Sequence, residues 1–400
     1  MIQNAVDAIN RTDPVVQGEI YLQIDCIRKE ISIRDNGCGI APEKLVTFLR
    51  PFSTDKLDDE NQIGEKGVGL KFAYFQSAYF KIHTGNASGS ALAEIRDARL
   101  WKLQTSQEPL TVSYERYNEP FCGTEIVLKG IENEPLFSLS ISQMRYILRT
   151  KTAAGNTSAI WRDISPIKIT LEMTDYNGDH IKEDIPYKYY LPTDTLSVRD
   201  QISLDDFEEW LRGGDRTDLE KRTKLRDKVI TAKGSYLHNG YREIRYWASF
   251  VPSRSVWDQL CIKEGLATDS LLSNEEWINE KIFVLHRPGI YTAVKGMPTG
   301  ITVEHPSAGY SGYWSNMFII FEDDRLSFDI GRKSIHGLTA NIYKSYAKEI
   351  FNRFLQYIVK YVSGTVEPYS AEWNKEGLID EIKSLPDLGC SVVKFGKNPK

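Results

Sequence analysis

The first ten residues carry two polar side chains at a spacing that suits ligand binding. Apolar residues recur there with the period of a helix, and Asn4 and Asp7 lie three positions apart within it. Residues three apart share a helix face, so an amide oxygen and a carboxylate point the same way. The pair offers oxygen acceptors to a ligand.

A second segment, DNGCGI at residues 35–40, follows a predicted strand at residues 30–34. Gly37 and Gly39 allow the backbone to approach a ligand closely, because glycine has no side chain and adopts conformations that other residues avoid. Asp35 offers a hydrogen-bond acceptor at the end of the strand.

A third segment, GEKGVGLK at residues 64–71, is a glycine-rich loop that enters a predicted helix. Backbone amides at a helix N-terminus, with Lys66 and Lys71 beside them, favour an anion. The segment is not a P-loop. Gly64 and Gly69 have the first spacing of that motif, but Leu70 occupies the position of its lysine.

Each segment alone also has a structural explanation. Asn4 and Asp7 suit a solvated helix face, residues 35–39 suit a turn, and residues 64–69 suit a flexible loop. Their order favours a ligand site, because these three motifs on these element types seldom occur together by chance. The long polar loop between the second and third motifs, residues 52–66, supports this interpretation, since long loops inside domains are usually functional.

Together the motifs resemble the ATP-binding fold shared by DNA gyrase, the ninety-kilodalton heat-shock chaperone, histidine kinases and the MutL mismatch-repair proteins. FSTDK at residues 52–56 is similar to the stretch that opens the ATP lid in MutL, and GTEI at residues 123–126 to the strand that closes the adenine pocket. Residues 64–74 are most similar to the MORC and chaperone branches. The resemblance covers roughly residues 1–130 and implies an ATP-binding α/β sandwich of the Bergerat type.

The resemblance also implies a role for each matching residue. Asn4 would hold Mg²⁺ together with phosphate oxygens and water, and Asp7 would support the pocket. Asp35 would accept a hydrogen bond from the adenine amino group, and Thr124 would support this contact. The remaining implied nucleotide contacts are Gly37, Gly39 and Ile40 at the base, Gly67, Val68, Gly69 and Leu70 at the phosphates, and Lys56, Lys66 and Lys71 as added charge.

The general base of this superfamily is a Glu four residues before the Mg²⁺-binding Asn, a place that falls just before Met1 here. Two interpretations follow. The chain could bind ATP with little hydrolysis, since losing a general base typically costs about 10²–10⁴ in rate. Alternatively its start has been cut or misassigned, which we favour; with the Glu restored, we expect hydrolysis of ATP to ADP and phosphate.

The pattern along the chain predicts an α+β protein of three parts. Alternating apolar residues predict a mostly antiparallel sheet with helices on one face, and residues 1–150 are assigned to the ATP-binding domain. A basic connector at residues 149–155 precedes a hairpin whose turn is Asn177-Gly178, and residues 151–338 are assigned to a second α/β domain. A long amphipathic helix begins the last part, residues 339–400.

The second domain resembles the transducer of gyrase, MutL and MORC proteins, in which a loop lysine reports the γ-phosphate. Lys295 and Lys333 are the two candidates, and we favour Lys333 as the nucleotide contact. The resemblance implies an ATP-gated switch in which the lid orders over the nucleotide and two chains form a homodimer.

Composition excludes several other classes. With 41% hydrophobic and 26% charged residues over 400 positions, the chain is globular. No apolar run approaches the roughly 18 residues of a membrane span. Five scattered cysteines without a C-x-x-C pair argue against a disulfide framework or a structural zinc site and favour a cytoplasmic location. A net charge of −5 argues against a general nucleic-acid coat.

Two hypotheses describe the biological role. The first is a MORC- or chaperone-like ATPase, acting on DNA or in bacterial defence against foreign DNA. The second is a nucleotide-dependent module that holds a partner protein or DNA without turnover. If DNA binds, we expect it at the basic residues 149–151 or on the helix at residues 344–360.

Overall fold

Two β-sheets form the framework of the chain in its described part. The computed structural model describes residues 1–12, 16–50, 69–105, 108–197, 200–251, 254–274, 276, 284–306, 311–326, 335, 337–358 and 361. The expected lid and the C-terminal segment after residue 361 lie outside these ranges. The architecture is α+β, as the sequence predicts.

The first sheet has eight strands, most of them antiparallel. They are β1 (Gly18–Asp25), β2 (Glu30–Asp35), β3 (Tyr79–Asn86), β4 (Gly89–Arg96), β5 (Val112–Tyr117), β6 (Gly123–Lys129), β7 (Ile167–Thr174) and β8 (His180–Ile185). Their spatial order is β5-β4-β3-β6-β2-β1-β7-β8. In β1, Ile20, Leu22 and Ile24 are buried and alternate with more exposed residues, because successive side chains of a strand point to opposite faces.

Helices cover the buried face of this sheet. They are α1 (Ile2–Asn10), α2 (Leu45–Leu49), α3 (Gly69–Tyr74), α4 (Ala98–Trp101), α5 (Glu134–Phe137) and α6 (Ile141–Lys151). Ala5 and Val6 of α1, Leu45 of α2 and Tyr74 of α3 all enter the core. The predicted opening helix is confirmed, and the helix predicted after the glycine-rich segment is present at Gly69–Tyr74.

The second sheet has six strands and lies between helices of the later chain. Its strands are β9 (Gln201–Ser203), β10 (Val229–His238), β11 (Arg242–Phe250), β12 (Gly289–Val294), β13 (Met297–Val303) and β14 (Met317–Glu322), in the order β13-β12-β14-β11-β10-β9. The helices are α7 (Leu204–Arg212), α8 (Asp218–Leu225), α9 (Arg254–Lys263), α10 (Asp269–Leu272) and α11 (Gly337–Tyr357).

The predicted amphipathic helix is α11, which buries Tyr343, Ile350 and Phe354 along one face. It begins at Gly337, close to the predicted residue 339. Among the helices of the described ranges, none has both the length and the apolar character needed to cross a membrane.

The hairpin predicted around Asn177-Gly178 forms, but it belongs to the first sheet. β7 pairs in parallel with β1 along its whole length, from Ile167 to Thr174. The pairing is favourable because the buried residues of β7 continue the apolar face of β1. This hairpin, which the sequence analysis assigned to the second domain, therefore extends the first sheet. The domain boundary at residue 150 stays a prediction.

The basic connector predicted at residues 149–155 begins as helix. Ser140 and Gln143 form a capping box that starts α6, and the helix continues to Lys151. The Arg149 side chain is only 13% exposed. Its guanidinium lies over the Tyr190 ring, 4.5 Å from the centroid, and pairs with Asp194 at 3.3 Å. The residues predicted as a connector between two domains are therefore part of the packed structure.

Three consecutive acidic residues at the end of β14, which we call the acidic triplet (Glu322, Asp323 and Asp324), join several elements. Glu322 and Asp323 have no solvent exposure. Ser158 donates to Glu322 at 2.8 Å, Thr157 also donates to Glu322, and Arg245 of β11 lies 3.5 Å from it. Asp323 pairs with Arg242 of β11 and accepts from Tyr343 of α11 at 2.7 Å. The triplet thus connects the α6–β7 segment, the second sheet and α11.

Replacing Glu322 with Ala should destabilise the fold strongly. The change leaves the Thr157 and Ser158 hydroxyls without their acceptor and removes one carboxylate from the buried Arg245 guanidinium. Breaking a buried pair of this kind typically costs about 3–5 kcal/mol. Urea unfolding followed by circular dichroism measures the loss.

The matched control is Glu304→Ala, which removes an ion pair to Lys344 in which the Glu304 side chain is 91% exposed. It should cost under about 1 kcal/mol. Equal costs for the two variants would show that the acidic triplet does not hold the elements together.

Candidate functional site

The two polar residues of α1 differ in exposure. Asp7 is 1% exposed and lies beside the buried Ala5 and Val6, whereas Asn4 is exposed to solvent. The helix therefore presents an amide at the surface and a carboxylate within the protein. Both sit on the element against which the DNGCGI segment packs.

The DNGCGI segment is fixed to α1 and β1 by its own polar groups. The Cys38 backbone N–H donates to the Ala8 carbonyl of α1 at 3.1 Å. The Asn36 side chain accepts from the Glu19 N–H at 2.8 Å and donates to the Gln17 carbonyl at 2.8 Å. These bonds tie the segment to α1 and to the start of β1, so its shape is defined before any ligand is present.

Asp35 ends β2 in the middle of the first sheet, between Ile20 of β1 and Thr124 of β6. The side chain is 7% exposed, and its Oδ1 accepts from the Gly37 N–H at 2.9 Å. Burial raises the pKa of Asp35 to about 6, because the ionised form loses its hydration, and the Gly37 and Thr124 backbone N–H groups oppose this rise. A carboxylate held in this way is a strong acceptor for a ligand N–H group.

Two glycines of the segment are required by close backbone contacts. A Cβ on Gly39 would lie 1.9 Å from the Gly85 carbonyl oxygen, and the φ of Gly39 is +62°. A Cβ on Gly37 would lie 2.6 Å from the Ala8 carbonyl carbon of α1. The glycines therefore allow the segment to lie directly against β3 and α1.

A hydroxyl pair beside Asp35 completes this end of the sheet. Thr84 of β3 accepts from the Ile40 N–H at 2.9 Å, and its hydroxyl lies 2.9 Å from that of Thr124. Thr84 is fully buried and was not identified from the sequence. The only available signal was the Thr84-Gly85 dipeptide, which pairs across the strands with Gly123-Thr124.

The structure thus brings Asp35, Gly37, Gly39, Ile40 and Thr124 together, as the sequence predicts. Together they present a desolvated carboxylate acceptor, a hydroxyl and closely packed glycine backbone, which fits a flat heteroaromatic ring that carries an amino group. Among the described residues there is no cluster of three or more His, Cys, Asp or Glu that could hold a metal ion by itself.

The glycine-rich segment is described only from its third glycine. Gly69 and Leu70 begin α3, and Leu70 packs against the core. Lys71 is 7% exposed, and burial lowers the pKa of its ammonium group to about 8. The other predicted site residues, Lys56, Lys66, Gly67, Val68 and Lys333, lie outside the described residues.

A cleft of about 490 Å³ opens beside Asp35, and its walls come mainly from β1, β2 and β7. It includes Asp35 and Asn36 but none of Gly37, Gly39 or Thr124. The cleft is therefore a neighbour of the candidate site and does not coincide with it. It is lined by Glu19, Ile20, Tyr21, Arg34, Asp35, Asn36, Cys122, Lys168 and Thr170.

Comparison with known proteins matches the part of the chain that carries this site. Residues 1–115 match a sequence model described as a histidine kinase-, DNA gyrase B- and HSP90-like ATPase. A 152-residue stretch is 30% identical to an endoplasmin homolog of Arabidopsis thaliana, covering 32% of this chain and 18% of that protein. A 123-residue stretch is 28% identical to the chaperone protein HtpG of Helicobacter pylori, covering 25% of this chain and 20% of that protein. The chain thus spans about a fifth of the length of these two relatives.

The ionisation of Asp35 should make stability depend on pH. The folded-state pKa of about 6 lies above the ordinary pKa of an aspartate side chain, so the folded chain favours the protonated form of Asp35. The contribution of protonated Asp35 to the free energy of unfolding is fully present below about pH 4. It is lost as the pH rises through about 6, which lowers the free energy of unfolding by about 3 kcal/mol.

Urea unfolding of the wild-type chain and of Asp35→Asn from pH 4 to pH 7.5 measures this difference. Asn keeps an oxygen acceptor for the Gly37 N–H but cannot ionise, so its profile should lack the loss of stability between pH 4 and pH 6. Parallel profiles for the two chains would contradict a buried, ionisable Asp35.

Proposed function

We propose that this chain, whose residues 1–115 belong to the histidine kinase, DNA gyrase B and HSP90-like ATPase family, binds ATP at the Asp35 end of its first sheet. The observation that carries the proposal is the desolvated Asp35 carboxylate, which lies opposite Thr124 in the β2–β6 register, with the Thr124 hydroxyl 2.9 Å from that of Thr84. Asp35 accepts a hydrogen bond from the adenine amino group, and Thr124 supports it. Gly37, Gly39 and Ile40 shape the pocket around the base.

The phosphates and Mg²⁺ belong on the α1 side of the base. Asn4 is the exposed oxygen donor there, and it would hold Mg²⁺ together with phosphate oxygens and water. When bound, the ion neutralises phosphate charge. We assign Lys71, together with Lys56 and Lys66, to the negative charge of the phosphates, and the amides of residues 67–70 to their oxygens.

We further propose that ATP acts as a switch ligand, with homodimerisation and lid ordering as its outputs. This step rests on the family and on the relation to the chaperone protein HtpG. In the part of the chain that the structure describes, Lys295 lies at the tip of the β12–β13 hairpin, with its backbone N–H 3.2 Å from Asp324.

A nucleotide-dependent module that binds DNA is the second candidate, and its support is weaker. Arg149 is paired with Asp194 and stacked on Tyr190, and Lys344 is paired with Glu304. Arg353 of α11 is paired with Asp205 and Glu208. Cationic side chains that already pair with carboxylates contribute less free energy to binding DNA phosphates. We therefore favour the ATP switch over DNA binding.

Isothermal titration calorimetry with ATP and Mg²⁺ tests the proposal. We expect saturable binding by the wild-type chain and none detectable by Gly39→Ala, because the added Cβ would lie 1.9 Å from the Gly85 carbonyl oxygen and deform the pocket.

The matched control is Gly178→Ala in the β7–β8 turn. Its φ of +90° is also left-handed, but no atom lies within 4 Å of the added Cβ. This variant carries similar backbone strain away from the site and should bind ATP like the wild type. Absence of heat from the folded wild-type chain would overturn the proposed function.

A further inference from the structure

Thr84 lies at the centre of a hydrogen-bonded group beside the candidate adenine site. Its side chain has no solvent exposure. Its hydroxyl oxygen accepts from the Ile40 N–H at 2.9 Å, and it lies 3.1 Å from the Gly123 carbonyl oxygen and 2.9 Å from the Thr124 hydroxyl. One side chain therefore joins the end of the DNGCGI segment to the start of β6.

Thr84, Thr124 and Asp35 form one row across the first sheet. Thr84 of β3 stands opposite Thr124 of β6, and Thr124 stands opposite Asp35 of β2. Directly opposed residues of antiparallel strands have Cβ atoms about 4.5–5.5 Å apart. Thr124 is therefore the neighbour of both other residues, and its hydroxyl lies where it can act on a ligand that Asp35 binds.

The groups around Thr84 determine where its hydroxyl hydrogen points. A hydroxyl has one hydrogen and two acceptor lone pairs. A carbonyl can only accept, so the Thr84 hydrogen goes to the Gly123 carbonyl, and one Thr84 lone pair takes the Ile40 N–H. The second lone pair faces Thr124, and the Thr124 hydroxyl must then supply the hydrogen of the 2.9 Å contact between the two threonines.

Thr124 consequently offers only lone pairs to a ligand. In the part of the chain that the structure describes, its hydroxyl has no hydrogen-bond partner other than Thr84. The Asp35 carboxylate beside it is also an acceptor, and it already accepts from the Gly37 N–H at 2.9 Å. This edge of the site therefore presents two acceptors, which suit an amino group and repel a carbonyl oxygen.

We propose that Thr84 is a positioning residue that makes the site select a 6-amino purine over a 6-oxo purine. It takes the hydrogen of the Thr124 hydroxyl and so prevents Thr124 from donating to a carbonyl oxygen at that position. The inference rests on the proposed ATP site. It adds the residue that sets the choice of base, and this residue acts through Thr124 from a fully buried position.

Titration calorimetry with ATP and with inosine triphosphate, both with Mg²⁺, tests this role. In inosine triphosphate an oxygen replaces the 6-amino group and N1 carries a hydrogen. At pH 8, above the pKa of Asp35, we expect the wild-type chain to bind ATP about 100-fold or more tightly than inosine triphosphate. In Thr84→Val, which frees the Thr124 hydrogen, this ratio of affinities should fall about five-fold or more.

Two further variants serve as controls. Thr84→Ser keeps the hydroxyl and should hold the ratio within about two-fold of the wild-type value. Thr170→Val removes a hydroxyl of β7 that donates to Asp184 at 2.8 Å, and it should leave the ratio unchanged. A ratio of two affinities cancels a general weakening of the site, which is all that a merely structural Thr84 would cause.

Three results would overturn the proposal. The first is a wild-type chain that binds both nucleotides equally, and the second is a Thr84→Val chain with an unchanged ratio. The third is a Thr84→Ser chain that loses selectivity as Thr84→Val does. In each case ATP still binds, so the proposed function survives.

A double-mutant cycle on urea unfolding, without nucleotide, tests the hydrogen bond itself. Thr84→Val and Thr124→Val each remove one partner of the same contact, so their effects on the free energy of unfolding should be non-additive. Additive effects would overturn the assigned hydrogen bond whatever the chain binds. Non-additive effects in a chain that binds no nucleotide would confirm the threonine pair and reject the ATP site together with its choice of base.

Discussion

The buried carboxylate of Asp35 is the constraint on which the candidate site depends. A charged group with 7% exposure loses most of its hydration, and two backbone N–H groups, from Gly37 and Thr124, compensate for only part of that loss. The surrounding structure must therefore place those donors accurately. Gly37 achieves this by lying directly against α1, and Thr124 by standing opposite Asp35 in the β2–β6 register. The Asp35 carboxylate can accept a further hydrogen bond and therefore suits a ligand that donates one.

The rest of the chain is built around a second buried acidic group. The acidic triplet lies at the end of β14, far along the sequence from Asp35, and each of its members bonds to a different set of elements. These bonds join the α6–β7 segment, the β12–β13 hairpin and α11 at one end of the second sheet.

Local patterns predicted much of this structure. The opening helix, the strand before DNGCGI and the Asn177-Gly178 turn follow from periodicity and turn chemistry, and the motif residues Asp35, Gly37, Gly39 and Thr124 converge as predicted. Features set by long-range pairing did not follow. The parallel pairing of β7 with β1 depends on matching apolar faces across more than 140 positions, which no local window reveals. Thr84 is a functional candidate only because of its neighbours in space.

Removing the 6-amino group from the ligand tests whether Asp35 recognises adenine through that group. Titration calorimetry should compare ATP with purine riboside triphosphate, which lacks only the 6-amino group, on the wild-type chain. We expect the analogue to bind about 10- to 100-fold more weakly, because a buried acceptor is then left without its donor. Equal affinity for the two nucleotides would contradict the role assigned to Asp35.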